Sequence, residues 1–392
     1  MTREVLVVGG GPAGAALGAQ LARAGKDVVI FERETGPHDK VCGEFISGEA
    51  AADLRALGLD LTALGAVPIS RVRLAGRGEP AETTLPFPAL SLSRRRLDEA
   101  LLGLAAEAGA EVRRGAKVRT LNRSEGGWRA SLDGGDVVDA DAAFLATGKH
   151  DLKDRRRPKG LHGGLVGFKM HFRLDPRQQE ALDGAVELHL FRGGYAGLQP
   201  IEDGLANLCL LADRRAVAEG PFPVLLDGIR AACPLLDSRL AGAHALWPKP
   251  LAIAAIPYGH VATAAGGLWR LGDQAAVMPS FAGDGLGIAL HSARAAATAY
   301  LAGETAAAFQ GRLAADLGVR VRGAALLSRL LVQPWVQPIA AGLTRLRPQL
   351  LSAAAAKTRV PERALARVRP QPALLDTAGN TPPSGRRSDC PV

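Results

Sequence analysis

The chain has 392 residues, of which 47% are hydrophobic, 22% charged and only 4% aromatic. This length is sufficient for a substantial core divided between two closely connected domains. The formal net charge of +9 lies in the C-terminal segment, where the residues from Arg312 onward include 13 Lys and Arg but only 4 Asp and Glu. Because no aromatic platform or base-reading motif accompanies these arginines, we expect no nucleic-acid partner.

The N-terminus and the cysteine spacing indicate the cellular location and whether disulfides or metal sites are expected. Residues 1–4 lead directly into an apolar strand without a charged and apolar leader, so we expect a cytoplasmic protein. The four cysteines, at positions 42, 209, 233 and 390, lack CxxC spacing, and the histidines form no metal-binding pattern. We therefore expect neither a disulfide framework nor a bound metal.

The first elements of the chain form a strand, a glycine-rich turn and a helix. The apolar run 4–8 predicts a buried parallel strand, and residues 15–24 predict the helix. Gly9 allows the tight turn, Gly11 lets the backbone approach a pyrophosphate, and Gly14 lets the helix pack closely on the strand. The phosphates would lie at the helix N-terminus, where unpaired N–H groups and the helix dipole favour an anion.

A second apolar strand, 27–31, ends at Glu32, which is placed to accept hydrogen bonds from a ribose diol. An acid at this position disfavours a 2′-phosphate, so the site should hold FAD or NAD and not NADP. A glycine-rich turn without a ligand is the alternative, but strand, turn, helix and acid agree on a dinucleotide. The predicted contacts also include Pro12, Ala13 and Arg33.

Residues 48–148 are predicted to contribute further elements to the α/β domain, and the residues after them form an inserted sheet. Helical turns, a strand, a helix and a small antiparallel meander precede a buried strand that ends at Thr147 and Gly148. The helical turns are predicted at 48–64 and the helix at 94–108. Single strands are predicted at 71–74 and 111–113, the meander strands at 117–121, 128–132 and 136–140, and the buried strand at 142–146. Beyond the basic turn 155–158, a two-residue periodicity predicts a half-buried antiparallel sheet inserted into the α/β domain.

Two later motifs suggest the second half of an FAD site. Gly272-Asp273 follows the strand 267–271, and a Pro- and Gly-rich turn, 279–285, opens the long helix 285–302. Arg94 begins a segment of the form R-x-x-L-D-x-x-L. With the first glycine motif, these residues resemble the FAD-dependent oxidoreductases that include para-hydroxybenzoate hydroxylase, the flavin halogenases and the geranylgeranyl reductases, over about residues 3–345.

The resemblance implies roles for individual residues. Arg94 is expected to reach the FAD, Asp273 to bind a ribityl hydroxyl, and Pro279 to lie close to the isoalloxazine. Backbone N–H groups at the start of the following helix could stabilise the reduced flavin. The further expected cofactor contacts are Cys42, Val118, Thr147, Gly148, Gly272, Gly283, Gly285, Leu286 and Gly287.

Within this group, the loop 39–44 looks most like the Cys-Gly loop of geranylgeranyl reductases, and residues 194–200 look like their substrate strand. Cys42, Glu44 and Tyr195 are accordingly the candidate catalytic residues, although a lone cysteine is often only a small buried apolar residue. Gly197 and Gln199 replace the large aromatic residues of that strand, which implies a pocket of different shape.

Other motifs of the group are missing. The hydroxylase Asp-Gly motif reads Thr147-Gly148 here, and the halogenase W-x-W-x-I-P signature is absent. No second G-x-G-x-x-G unit follows, so NAD(P)H, or another electron donor such as a separate reductase, would act transiently without its own Rossmann domain.

The basic C-terminal segment interleaves arginines with the apolar runs 324–332 and 336–346. Such a segment can lie on an anionic membrane surface, at the inner face of a membrane, or serve as a solvated helical cap. Pro334, Pro338 and the arginines argue against a membrane span.

The expected fold class is α/β, with a doubly wound Rossmann-like FAD domain, an inserted antiparallel substrate-binding sheet and a C-terminal helical segment. The predicted organisation is FAD-binding segments at 1–70, 96–158 and 259–310, substrate-sheet segments at 71–95 and 159–258, a basic helical segment at 311–368 and a disordered tail at 369–392.

The expected function is FAD-dependent hydride transfer to a C=C bond of an apolar small molecule. The alternatives are an NAD(P)H-dependent flavin monooxygenase that hydroxylates an aromatic, polyketide or lipid-like substrate, and a non-catalytic FAD-binding protein that presents a lipid.

Overall fold

The computed structural model describes residues 2–263 and 266–368; the tail predicted at 369–392 lies outside the described residues. The strands are β1 (Arg3–Val8), β2 (Val28–Phe31), β3 (Phe45–Ile46), β4 (Val67–Ala75), β5 (Ala81–Ser91), β6 (Glu111–Arg113), β7 (Val118–Ser124), β8 (Gly127–Leu132), β9 (Val137–Leu145), β10 (Leu165–Arg173), β11 (Ala185–Phe191), β12 (Gly194–Ile201), β13 (Leu205–Asp213), β14 (His244–Ala245), β15 (Leu251–Ala254) and β16 (Trp269–Arg270). The helices are α1 (Pro12–Arg23), α2 (Gly48–Ala56), α3 (Arg94–Glu107), α4 (Pro176–Leu182), α5 (Arg214–Ala218), α6 (Phe222–Ala232), α7 (Pro234–Leu240), α8 (Gly285–Leu301), α9 (Ala306–Leu331), α10 (Val336–Leu346), α11 (Gln349–Lys357) and α12 (Glu362–Val368).

The first sheet has the strand order β6-β2-β1-β9-β8-β7, with β16 also paired to β9. Strands β6, β2, β1, β9 and β16 run parallel, as the buried apolar runs predict. Val5 and Val7 of β1 pack with α1, α3 and α8, whereas Leu6 and Val8 face the core beneath the meander. Burial on both faces explains why residues 5–8 of β1 are all apolar. The predicted α/β class is confirmed.

Strand β9 differs from the prediction, which divided this stretch into a meander strand and a separate parallel strand. It is continuous, pairing antiparallel with β8 through residues 137–140 and parallel with β1 through residues 142–145. Its first part is half-exposed and its second part is buried on both faces. The sequence becomes more apolar along β9 because its neighbouring strands change, and not because the strand ends.

The second sheet has the strand order β14-β10-β13-β12-β11-β4-β5-β3, with β15 paired to β10. Its pairs are antiparallel except for β11 and β4. Strand β4 begins at Val67, and the short strand β3 lies well before the predicted entry at residue 71. The chain thus reaches this sheet earlier than the sequence indicates, because β3 is too short to show a periodicity.

The C-terminal segment is helical, as predicted, and begins as α9 at Ala306. Helices α10 and α11 pack against β4 and β5 of the second sheet, and α12 packs on α8 of the first domain. Among the described residues, no helix is both long enough and apolar enough to cross a membrane.

The close approach at Gly14 provides a test of the glycine-rich turn. A Cβ added at Gly14 would lie 1.9 Å from the carbonyl oxygen of Gly9, whereas one added at Gly103 in α3 meets nothing within 4 Å. We expect Gly14→Ala to lower the free energy of unfolding by about 1–3 kcal/mol and to reduce FAD content, because the turn must open. Gly103→Ala should stabilise the protein by up to about 1 kcal/mol.

Urea unfolding and the ratio of flavin to protein absorbance measure both effects. Equal stability and equal flavin content in the two variants would contradict the assigned packing role of Gly14.

Candidate active site

A cavity of about 1070 Å³ is lined by residues of both sheets and of the C-terminal helices. It is at the upper end of the usual range for ligand sites, about 300–1,000 Å³. The predicted site residues that line it are Gly9, Gly11, Pro12, Ala13, Glu32, Arg33, Cys42, Glu44, Arg94, Val118, Thr147, Gly148, Tyr195, Gly272, Asp273, Pro279, Gly283, Gly285 and Leu286. Gly14 and Gly287 do not line it, and a Cβ at Gly287 would lie 2.4 Å from the carboxylate of Asp284. These two glycines therefore serve packing.

Two cations lie above the glycine-rich turn at the N-terminus of α1. The guanidinium of Arg94 and the ammonium of Lys40 lie 3.8 and 3.9 Å from the position of a Cβ at Gly11. Both bind the buried carboxylate of Asp98, Arg94 at 2.7 and 2.8 Å and Lys40 at 2.9 Å. Burial would raise the pKa of Asp98, but Arg94 and Lys40 lower it. One carboxylate against two cations leaves positive charge where a pyrophosphate would lie.

Arg94 also opens α3, where its charge opposes the helix dipole. Two buried carboxylates compensate: the N–H of Arg94 donates to Glu44 at 2.7 Å, and the N–H of Ser93 donates to Glu202 at 2.9 Å. Lys40 and Glu202 were not anticipated from the sequence, because each comes from a distant segment.

Glu32 is buried at the end of β2 and fixes the backbone around it. Its carboxylate accepts hydrogen bonds from the N–H of Gly10 at 2.9 Å and of Glu34 at 3.1 Å. Because each carboxylate oxygen can accept more than one hydrogen bond, these contacts leave capacity for a ribose hydroxyl.

The two glycine-rich segments meet in space. A Cβ at Gly272 would lie 3.3 Å from the Cβ of Ala13, and the N–H of Gly272 donates to Ser292 at 2.9 Å. Asp273 lines the cavity, and no donor within the described ranges 2–263 and 266–368 binds its carboxylate. A free acceptor here suits a polyol hydroxyl.

The segment after β9 is tied to this second motif by side chains that sequence reasoning missed. Gln274 donates to the carbonyls of Gly148 at 2.9 Å and His150 at 3.0 Å. Arg157, whose side chain is almost fully buried, donates to the carbonyls of Lys149 and Asp273 at 2.9 and 2.7 Å. These bonds hold the backbone around Thr147 without the aspartate of the hydroxylase motif.

The turn after Pro279 is held from two sides. The hydroxyl of Tyr195 accepts from the N–H of Phe281 at 3.3 Å, and burial raises the pKa of Tyr195 well above its ordinary value. From the other side, Arg359 donates to the carbonyl of Gly283 at 3.3 Å and to Asp284 at 3.2 Å. Burial raises the pKa of Asp284 to about 6, although Arg359 partly offsets it.

The loop 39–44 lies between the two sheets and is clamped there. Glu44 is buried with a φ of 62°, and its carboxylate accepts from His171 at 2.9 Å and from Lys169. Burial would raise the pKa of Glu44, but Lys169 and His171 lower it. Asn207 donates to the carbonyls of Cys42 and Gly43 at 3.1 and 3.0 Å. Cys42 is thereby held at the cavity wall.

Asp39, Glu44 and His171 offer ligand atoms within 4.8 Å of one another, which is a spacing that could hold a cation. The ammonium of Lys169 already lies among them, 3.7 Å from Asp39 and bound to Glu44. This cluster is therefore charge-balanced by the protein itself.

The part of the cavity between the second sheet and the C-terminal helices has mainly apolar walls. Its walls come from β4, β5 and β11 on one side and from the C-terminal helices on the other, and they include Leu74, Leu85, Phe87, Leu188, Leu327, Leu331, Ala340 and Leu351. A Cβ at Gly197 would lie in ordinary van der Waals contact, 3.7 Å from the carbonyl oxygen of Cys209, so glycine is not required there by a close approach. We call this part the apolar chamber.

A family model described as an FAD binding domain matches residues 2–143. Together with the paired glycine motifs, this match and the relatives below show that the chain belongs to the FAD-dependent oxidoreductases. It is 30% identical over 315 residues to a menaquinone reductase of Mycolicibacterium smegmatis, which covers 75% of each chain. It is 32% identical over 222 residues to a digeranylgeranylglycerophospholipid reductase 2 of Methanopyrus kandleri, covering 54% of each.

Among solved structures, a flavin-dependent brominase, Bmp2, superimposes with a TM-score of 0.74 over 91% of this chain and 93% of that one, at 20% identity. This likeness confirms the fold. The family model and the menaquinone reductase relative confirm FAD as the cofactor and oxidoreductase as the class.

The buried pair of Glu44 and Lys169 gives a stability test. We expect Glu44→Gln and Lys169→Met each to lower the free energy of unfolding by about 3–5 kcal/mol, because each leaves the other charge buried without its partner. The double variant should lose clearly less than the sum of the two.

Urea unfolding of the FAD-loaded protein measures this cycle. The exposed pair of Arg129 and Asp139 is the matched control, and its removal should change stability little. Additive losses at Glu44 and Lys169 would contradict the assigned pairing.

Proposed function

We propose that this protein is an FAD-dependent reductase that adds two hydrogen atoms across a C=C bond of an apolar, isoprenoid-bearing molecule. The observation that carries the proposal is the continuity of the FAD motifs with the apolar chamber in one cavity. Two of its relatives are named as reductases of lipids that carry isoprenoid chains, which supports the substrate class.

The residues around the cavity fit the cofactor in a defined direction. We propose that the N-terminus of α1, Arg94 and Lys40 bind the pyrophosphate, that Glu32 binds the adenosine ribose, and that Asp273 binds the ribityl chain. The turn 279–285 and the N-terminus of α8 would then face the flavin ring, beside the loop that carries Cys42.

The chemistry must balance as one hydride and one proton. Bound FAD, once reduced by a nicotinamide or by a separate reductase protein, supplies the hydride to one carbon of the double bond. We propose that a protein group beside the apolar chamber supplies the proton to the other carbon.

Cys42 is the group that we propose for this proton. Glu44 has a lowered pKa and is held by Lys169 and His171, so it is a poor acid. Burial raises the pKa of Cys209 to about 12, and Tyr195 is committed to the turn at Phe281. Cys42 lines the cavity, and its sulfur accepts a weak hydrogen bond from the N–H of Glu44 at 3.4 Å. We therefore propose positioning roles for Glu44 and Tyr195.

The monooxygenase and the non-catalytic lipid-presenting protein are the alternatives.

For either oxidoreductase, we propose that the substrate is reached at a membrane surface through the C-terminal helices, on the cytoplasmic side. An isoprenoid-bearing lipid resides in the bilayer, so the enzyme has to meet it there.

Asp273 provides a test of the proposed flavin orientation. We expect Asp273→Ala to weaken FAD binding by about tenfold or more, because an ionic hydrogen bond contributes roughly 1.5–3 kcal/mol. Asp237→Ala, which removes an exposed carboxylate paired with Arg230, is the control and should retain FAD. Fluorescence titration of the apoprotein with FAD measures both, and unchanged affinity in Asp273→Ala would contradict the assignment.

The reaction is tested by reducing the FAD-loaded protein anaerobically and adding a menaquinone as the substrate probe. The reductase predicts that the flavin is reoxidised by the substrate without oxygen. After any quinol has been reoxidised in air, the product should still be heavier by two hydrogens in its isoprenoid chain. Incorporation of label from ¹⁸O₂ would select the monooxygenase. If no donor bleaches the flavin, the lipid-presenting alternative gains.

In the same assay, Cys42→Ala should retain FAD and its reduction but slow product formation by about a hundredfold or more. Cys233→Ala is the control, because Cys233 is buried in the second domain and does not line the cavity. Equal rates in both variants would remove Cys42 from the mechanism.

A further inference from the structure

The C-terminal helices expose a concentration of large apolar side chains. Of the thirteen such exposed side chains in the described part of the chain, eight lie between residues 319 and 350. We call the five around α10 the outer face: Trp335 (65% exposed), Ile339 (53%), Leu343 (51%), Leu346 (81%) and Leu350 (47%). Exposed apolar patches of this kind are characteristic of binding surfaces.

Helix α10 separates this outer face from the cavity. Ile339, Leu343 and Leu346 follow one another at spacings of four and three residues, so they share one side of the helix. Ala340 and Thr344, which point the other way, line the cavity. The wall between the apolar chamber and the surface is therefore a single helix with small residues on its inner side.

Leu350, at the start of α11, belongs to both surfaces. It lines the cavity and is also nearly half-exposed. The apolar chamber thus reaches the surface at the outer face, beside the neighbouring lining residues Leu351 and Ala354.

The charge around the outer face has one sign. Residues 317–361 contain seven Lys and Arg and no Asp or Glu. Arg329, Arg345, Arg347 and Lys357 are exposed, and none of them pairs with a carboxylate among residues 2–263 and 266–368. An anionic lipid surface complements this arrangement. Its acyl region can take up the apolar side chains of the outer face, and its headgroups can bind the surrounding cations.

We propose that the outer face docks on an anionic lipid bilayer and that the opening at Leu350 is the passage through which an isoprenoid chain moves from the bilayer into the apolar chamber. Helix α10 has 11 residues, so it lies in the plane of the interface and does not span the bilayer. The passage rests on the proposed function, whereas the docking does not.

Docking is tested on vesicles that contain no substrate, so that its failure is distinguishable from failure of the proposed reaction. The full-length FAD-loaded protein is floated with vesicles of phosphatidylcholine alone or with phosphatidylglycerol added. Trp335 is an intrinsic probe, because it is 65% exposed, whereas Trp128 and Trp269 are buried and Trp247 is half-buried. The variant Trp335→Phe identifies its share of the signal. We expect flotation only with the anionic vesicles, together with a blue shift and quenching of Trp335 by brominated lipid.

Two double variants separate the contributions. Arg345→Gln/Arg347→Gln and Leu343→Ser/Leu346→Ser should each reduce partitioning by about tenfold or more. The matched controls are Arg95→Gln/Arg177→Gln and Val137→Ser/Val224→Ser, which change exposed residues elsewhere and should bind as the unaltered protein does.

Absence of flotation with anionic vesicles, or an equal loss in the controls, would overturn the docking. A dimer seen by light scattering and dissociated by Leu343→Ser/Leu346→Ser would assign the outer face to a second copy of the chain.

The passage is tested with Leu350→Trp, which should slow turnover of a long-chain menaquinone in vesicles but not of a short-chain soluble analogue. Equal slowing of both substrates would overturn it.

Discussion

The buried carboxylate of Glu44 is the contact on which the arrangement of the site depends. It receives Lys169 and His171 from the second sheet and the first N–H of α3 from the FAD domain, so one side chain joins both halves of the molecule. From α3 the same network continues through Arg94 and Asp98 to Lys40 above the glycine-rich turn. A buried charge is tolerated only when it is fully paired, and this requirement fixes the loop that carries Cys42.

The C-terminal helices close the other end of the cavity by a second buried contact. Arg359 follows α11, binds the backbone of the turn at Gly283 and lies over the ring of Phe87. The helices that form the outer face are therefore tied directly to the turn proposed to face the flavin. The apolar chamber lies between the outer face and this turn, which is the arrangement that the proposed entry from a bilayer requires.

Much of the fold could be predicted because its signals are local. Three segments illustrate this: the turn at Gly9, the strand that ends at Glu32 and the motif at Asp273. In each, a short apolar run is followed by glycines or a carboxylate at positions typical of a dinucleotide site. By contrast, the continuous strand β9 was divided in two, and β3 was missed, because a change of strand partner or a two-residue strand leaves no periodic pattern. The residues that clamp the site, among them Arg157, Lys169 and Gln274, carried no motif at all.

The sequence by itself determined the class of protein, the cofactor and the order of the main elements, since these follow from backbone geometry and hydrophobic periodicity over short stretches. Only the tertiary structure decided that Glu44 binds Lys169, that Gly287 packs against Asp284, and that α10 stands between the apolar chamber and an exposed apolar face. These contacts join residues far apart in the chain. Burial and pairing at a distance depend on how the two sheets pack, and no local pattern encodes that.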